Sequence, residues 1–112
     1  MGYNKNMEIA ETSIFTNQIN KIISEEDYRN FQNQLILSPK SGVLIRGTGG
    51  IRKIRVQASG RGKRGGARVL YYYFIPGNRI LMLLIYKKNT QDDLTPKQKK
   101  ILSDIINSEE VY

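Results

Sequence analysis

The 112-residue chain contains no cysteine, no histidine and no tryptophan. Without cysteine there is no disulfide, no zinc–thiolate centre and no thiol nucleophile. Without histidine the commonest general base and the commonest transition-metal ligand are both missing. Acid–base chemistry on this chain falls to lysine, tyrosine, aspartate, glutamate or the backbone. The lack of cysteine fits a reducing compartment, so the protein is expected in the cytoplasm. Long apolar runs are missing too. The longest, ILMLLIY from Ile80 to Tyr86, is well short of the ~20 residues a membrane span needs and suits one buried strand. The opening MGYNKNMEIAE holds no apolar stretch of signal-peptide length. Residues 1–6 read as a flexible leader, and residues 7–112 as one domain of ordinary size.

The most informative absence is of negative charge. From Tyr28 to Gln91 there is no Asp or Glu, and this window carries 13 of the 18 basic residues. The net charge is +8. A long, acid-free basic block is the electrostatic footprint of a nucleic-acid binder. The plainer alternative is a solvated basic surface with no ligand. Against it, the cations alternate with apolar residues on strands, which gathers them on one face.

Local signals divide the chain into elements. MEIAETSIF reads as a short edge strand followed by a helix start, with Thr12 or Ser13 as N-cap. In SIFTNQINKII, residues Ile14, Phe15, Ile19, Ile22 and Ile23 lie near one helical face. Ser24 then caps a second helix whose first turn is acidic, as the helix dipole favours. Tyr28, Phe31, Leu35 and Ile36 form its apolar stripe, and Pro39 ends it. The period then changes. SGVLIRGTGG holds a short strand and a glycine-rich turn. IRKIRVQ alternates, with Ile51, Lys53, Arg55 and Gln57 on one side and Arg52, Ile54, Val56 and Ala58 on the other. ARVLYYYFI is a second strand, Pro76–Asn78 a tight turn, and RILMLLIYKK a third strand, apolar enough to be central. Thr95 and Pro96 open a last helix, with Ile101, Leu102, Ile105 and Ile106 as its buried stripe. The fold class is α+β: two N-terminal helices, an antiparallel β-meander and a C-terminal helix, with the helices expected against one sheet face.

The chemistry concentrates in the middle. SGRGKRGG is a loop whose glycines allow close approach of backbone N–H groups to a ligand. Arg61, Lys63 and Arg64 would surround a phosphate held there, although the spacing is not that of a P-loop. Lys53 and Arg55 share a face of one strand, Arg68 opens the next, and Tyr86, Lys87 and Lys88 close the third. Neighbouring strands would bring these cations onto one surface. A lysine crowded by cations gives up its proton more readily. Arginine stabilises charge growing on a phosphate, and tyrosine stacks on a base or carries a proton. These are the parts of a histidine-free ribonuclease in which the RNA 2′-hydroxyl attacks the adjacent phosphate. No acidic cluster lies nearby to hold Mg²⁺, which argues against a two-metal nuclease and for a reaction without a cofactor. At least one of Tyr71 to Tyr73 must face the core, because strands alternate; Tyr86 is the stronger functional candidate. Tyr71 and Tyr73, with Arg52, are further candidates for RNA contact.

Three segments in order, GTGGIRKIRV, GKRGGARVLYYYF and LLIYKKNTQDDLTPKQ, resemble the HigB branch of the RelE-like toxins of bacterial toxin–antitoxin pairs. The resemblance implies a compact RelE fold and a metal-independent endoribonuclease that enters the A site of the small ribosomal subunit and cuts mRNA there. It also implies a cognate antitoxin, often with a helix-turn-helix domain, that neutralises the toxin and contacts operator DNA. Carried over by motif, Lys53 and Arg55 match basic strand positions at the scissile phosphate. Arg68 matches the arginine before an apolar stretch, and Lys88 a basic residue after the last central strand. Many relatives then carry a catalytic tyrosine near the C-terminus. Here that region reads KKNTQDDL, so Tyr86 stands in or another group serves. A non-catalytic RNA- or ribosome-binding module is the competing reading. A DNA-binding regulator fits less well, because the cations lie on strands and a loop, not on a helix shaped for the major groove.

Overall fold

Thr12 fixes where the first helix begins. Its hydroxyl accepts a hydrogen bond from the Phe15 N–H (3.1 Å) and donates to the Leu83 carbonyl (2.9 Å). One side chain therefore caps the helix and ties it to the centre of the sheet. The computed structural model describes residues 7–57, 66–87 and 94–110. In chain order the elements are β1 (Glu8–Glu11), α1 (Ser13–Ile22), α2 (Glu25–Leu37), β2 (Val43–Leu44), β3 (Arg52–Val56), β4 (Ala67–Phe74), β5 (Arg79–Lys87) and α3 (Pro96–Glu110). Ser24 caps α2 by accepting from the Asp27 N–H at 3.0 Å. Thr95 and Gln98 form a reciprocal capping box at the start of α3.

The sheet has five strands in the order β1-β5-β4-β3-β2. The meander β3–β4–β5 is antiparallel, β2 adds antiparallel to β3, and β1 lies parallel to β5. The turn between β4 and β5 closes with the Asn78 N–H on the Ile75 carbonyl at 3.1 Å, and Asn78 takes a left-handed φ of 51°, which asparagine tolerates. In the glycine-rich turn before β3, Gly50 has φ 124°, and a Cβ there would meet the Tyr72 ring at 2.7 Å. Only glycine fits.

Side chains alternate across the strands, and the two faces build two cores. One contains Phe15, Ile19, Phe31 and Leu35 against Val56, Ala67, Val69, Tyr71, Ile80, Met82 and Ile85. The other contains Ile51, Leu70, Leu81, Leu83 and Tyr86 with Leu94, Leu102 and Ile106. The helices are thus not gathered on one face, as the sequence pattern suggested. The N-terminal pair covers one side and α3 the other, which explains why β5 is apolar almost throughout. Two expected stripe residues are exposed: Ile14 at 56% and Ile101 at 50%. Each sits at the margin of its apolar stripe, turned towards solvent.

Candidate active site

The strand registers assemble a row. Arg55 stands opposite Arg68 across β3 and β4, and Arg68 stands opposite Tyr86 across β4 and β5. Partners in register share a face, so Arg55, Arg68 and Tyr86 run side by side across three strands. Lys53, two residues from Arg55, lies on the same face one step along, opposite Leu70. This is the face covered further along by α3. Arg55 is exposed, Lys53 and Arg68 are half-buried, and Tyr86 is buried. None of β2, β3, β4 or β5 contributes an acid. Like charges directly opposite one another in a sheet repel, so a ligand with concentrated negative charge suits the row.

Arg68 carries the clearest sign of incompleteness. Its Nη1 is enclosed and meets no hydrogen-bond partner among the described residues. A buried guanidinium nitrogen left unbonded is costly, and an oxyanion accepting from it removes that cost. Tyr86 sits deeper. The residue is 7% exposed and its hydroxyl is enclosed, so in this arrangement the phenol lines the floor of the row and does not present itself to solvent.

The sheet separates other expected site residues from this row. Arg52 and Tyr71 pair with each other on the opposite face, the side of α1 and α2. The Tyr71 hydroxyl accepts from the Gly42 N–H at 2.9 Å and donates to the Pro39 carbonyl at 2.8 Å. Arg52 donates to the carbonyls of Lys40 (3.0 Å) and Gly42 (2.7 Å). Together they clamp the connection between α2 and β2. Burial raises the Tyr71 phenol above its ordinary pKa, while the Gly42 N–H and the Arg52 charge pull it back. Tyr71 is fully buried and offers no face to an RNA base, so the expected RNA contact at Tyr71 gives way to a structural role, and Arg52 serves the same clamp. Tyr73 packs on the same core from a half-buried position. Lys87 is exposed and in register with Ala67, on that face too. Arg61, Lys63, Arg64 and Lys88 lie outside the described residues.

Sequence reasoning missed a tyrosine. Counting by twos from Arg68 gives Leu70, Tyr72 and Phe74, so Tyr72 is the member of the tyrosine run that shares the Arg68 face. It meets Phe74 edge-on at 4.5 Å between centroids, and the Arg79 guanidinium lies 4.8 Å from the Phe74 centroid. Alternation alone was signal enough to find Tyr72. Among the described residues no cluster of three or more His, Cys, Asp or Glu side chains is placed to hold a metal ion, and no helix is long and apolar enough to cross a membrane.

Residues 42–109 match the model of a family described as the RelE toxin of the RelE/RelB toxin–antitoxin system. Three solved structures share the fold. An arginine-to-alanine double mutant of E. coli toxin RelE in the free state superposes with a TM-score of 0.59 at 17% identity, covering 82% of this chain and 90% of that one. The intact E. coli RelBE toxin–antitoxin complex gives 0.57 at 17% identity, with 72% and 95% covered. The isolated E. coli RelE toxin gives 0.55 at 14% identity, with 88% and 98% covered.

Proposed function

The chain belongs to the family of RelE toxins of toxin–antitoxin systems, and from that premise we propose that it is a ribosome-dependent mRNA endonuclease of the HigB branch. Residues 7–112 act as one toxin domain in the cytoplasm. The observation that carries the reading is the row Arg55–Arg68–Tyr86 with Lys53 beside it, in which Arg68 Nη1 is enclosed and without a hydrogen-bond partner among the described residues.

In this mechanism the scissile phosphate of the message settles over Arg55 and Arg68. The 2′-oxygen of the preceding ribose attacks phosphorus, the bond to the 5′-oxygen breaks, and a 2′,3′-cyclic phosphate and a 5′-hydroxyl remain. The two guanidiniums hold the negative charge that builds on the phosphoryl oxygens. Lys53 moves a proton at the attacking or leaving oxygen. Tyr86, from the floor of the row, fixes the surface on which the phosphate rests. Arg61, Lys63, Arg64 and Lys88 add to the grip on RNA. No cofactor takes part. A cognate antitoxin neutralises the protein, and operator DNA is reached through the antitoxin.

The test is primer extension on an mRNA held in purified ribosomes, beside the same mRNA free in solution. Cuts on the ribosome alone are expected and would read out the codon preference. Cuts on both would make the protein a general ribonuclease. No cut on either, with folded and antitoxin-free protein, would leave a non-catalytic binding module, which the same basic row serves.

A further inference from the structure

Arg55 and Arg68 stand opposite each other on β3 and β4, and Lys53 lies one step along the same face. Residues directly opposite in a sheet have Cβ atoms about 5 Å apart, so two guanidiniums can grip one tetrahedral phosphate. Both are permanently charged. An intact phosphodiester brings one negative charge to them, fewer than the row can balance. The second negative charge appears only as the 2′-oxygen adds to phosphorus. A site complementary to that state binds ligands that share its charge more tightly than it binds the substrate. The match in charge is open to a stable ligand: a phosphomonoester carries about two negative charges near neutral pH.

The hydrogen-bonding groups select in the same direction. Guanidinium and ammonium groups donate and do not accept. Arg68 Nη1 is enclosed and meets no acceptor among the described residues. Tyr86 is the remaining titratable group of the row, and strands β2 to β5 carry no acid. The helix α3, which covers this face further along, brings Lys97, Lys99 and Lys100 before its first acid. That acid, Asp104, is exposed and lies 3.5 Å from Lys100. A phosphate oxygen that keeps its proton therefore finds no carboxylate on these strands to accept it, and fully ionised oxygens fit better. We propose that the row takes a phosphomonoester dianion in preference to a phosphodiester, so that RNA ending in a 3′-monophosphate occupies it and holds the protein off the message. Ends closed as a 2′,3′-cyclic phosphate, with a single negative charge, are released. The inference rests on the reading given above, and it makes that site subject to inhibition by a hydrolysed form of its own product.

The probes are adenosine 3′-monophosphate, adenosine 2′,3′-cyclic phosphate and inorganic phosphate, each titrated by calorimetry into antitoxin-free protein at one salt concentration. The 3′-monophosphate is expected to bind about tenfold tighter than the cyclic phosphate, which shares its base and sugar and lacks the extra charge. Its affinity should fall about threefold from about pH 7.5 to about pH 5.5, because the second phosphate ionisation lies at about pH 6, while that of the cyclic phosphate stays level. The chain has no histidine, so no side chain of ordinary pKa changes charge in that range and the series reads the proton of the ligand. Arg68→Ala should weaken the 3′-monophosphate about tenfold. Lys21→Gln, exposed in the last turn of α1 on the other side of the sheet, should change nothing. Circular dichroism melts confirm that each variant is folded, and the ranking of ligands on the parent protein needs no variant. Inorganic phosphate binding as tightly as the nucleotide would assign the inhibition to the free ion, and weaker binding would assign it to an RNA end; both keep the dianion. No binding of the 3′-monophosphate, equal or tighter binding of the cyclic phosphate, a level pH series for the 3′-monophosphate, or undiminished binding by folded Arg68→Ala would each overturn the proposal. No titration uses ribosomes. Ribosomal cleavage without a preference for the dianion would sink this inference and leave the proposed function standing; the preference without cleavage would do the reverse.

Discussion

Arg55 and Arg68 face each other in register across β3 and β4, two positive charges on one side of the sheet with no acid on either strand. The arrangement costs the fold something and suits a phosphate. Arg55→Gln keeps much of the side-chain stem and removes the repulsion. It should raise stability by a few tenths to about 1 kcal/mol, read as a higher urea midpoint. The same change should lower ribosome-dependent cleavage by about 10²–10³-fold, as should Arg68→Ala. A variant that gains stability and keeps full cleavage would remove Arg55 from the site.

Binding of the protein to RNA should weaken steeply with salt, because several phosphates exchange their counterions for lysine and arginine. Neutralising Lys53 or Arg55 should make the slope of log affinity against log salt shallower by about 1 for each phosphate that the side chain had neutralised. Fluorescence anisotropy with a labelled single-stranded RNA checks this. An unchanged slope would mean that the phosphates are held elsewhere.

The Tyr28 hydroxyl donates to Glu11 Oε2 at 2.5 Å, and Glu11 Oε1 accepts from Thr16 at 2.6 Å. Burial raises the Tyr28 phenol far above its ordinary value, and Glu11 adds to the shift through the hydrogen bond and its charge. The folded state therefore keeps a proton that the unfolded chain releases from about pH 10. Its stabilisation is complete below that pH and is lost as pH rises beyond it. Urea midpoints measured from about pH 8 to pH 11 should fall less steeply at the alkaline end for Tyr28→Phe than for the parent. Parallel curves would contradict the coupling.

The clamp at Gly42 is tight. A Cβ there would lie 2.9 Å from the Tyr71 ring and hydroxyl and 3.0 Å from Arg52 Cβ. Gly42→Ala should cost about 1–3 kcal/mol through overpacking. Tyr71→Phe leaves the Gly42 N–H and the Pro39 carbonyl without their partner and should cost a similar ~1–3 kcal/mol. Chemical denaturation of both variants tests the pair. A neutral Tyr71→Phe would show that water replaces the hydroxyl.

What the sequence disclosed followed the range of the interactions involved. Thr12, Ser24 and Thr95 act within one helical turn of themselves, so the three helix starts were legible. Pro76 to Asn78 likewise announced its turn. Alternation also placed Lys53 with Arg55, because both sit on one short strand. It did not say which face each helix would cover, since that depends on chain paths between elements. The parallel pairing of β1 with β5 was hidden for the same reason. Within β4 and β5, an extra residue on β5 shifts the register at Leu70/Tyr71, and the unbroken apolar run Ile80–Ile85 conceals it. Tyr71 looked available because three tyrosines adjoin each other. Its burial depends on backbone groups of Pro39 and Gly42, some 30 residues earlier in the chain.

The parallel pairing of β1 with β5 has a consequence for the time at which the protein becomes whole. Residues 8–11 must wait for residues 79–82 before they find their partners, and Thr12 waits for Leu83. On a translating ribosome the hairpin of β3 and β4 emerges before β5, and pairings this distant in sequence form late. Tyr86 arrives with the same strand that completes the sheet. A nascent chain cut short before β5 therefore has neither the complete five-stranded sheet nor the third member of the row.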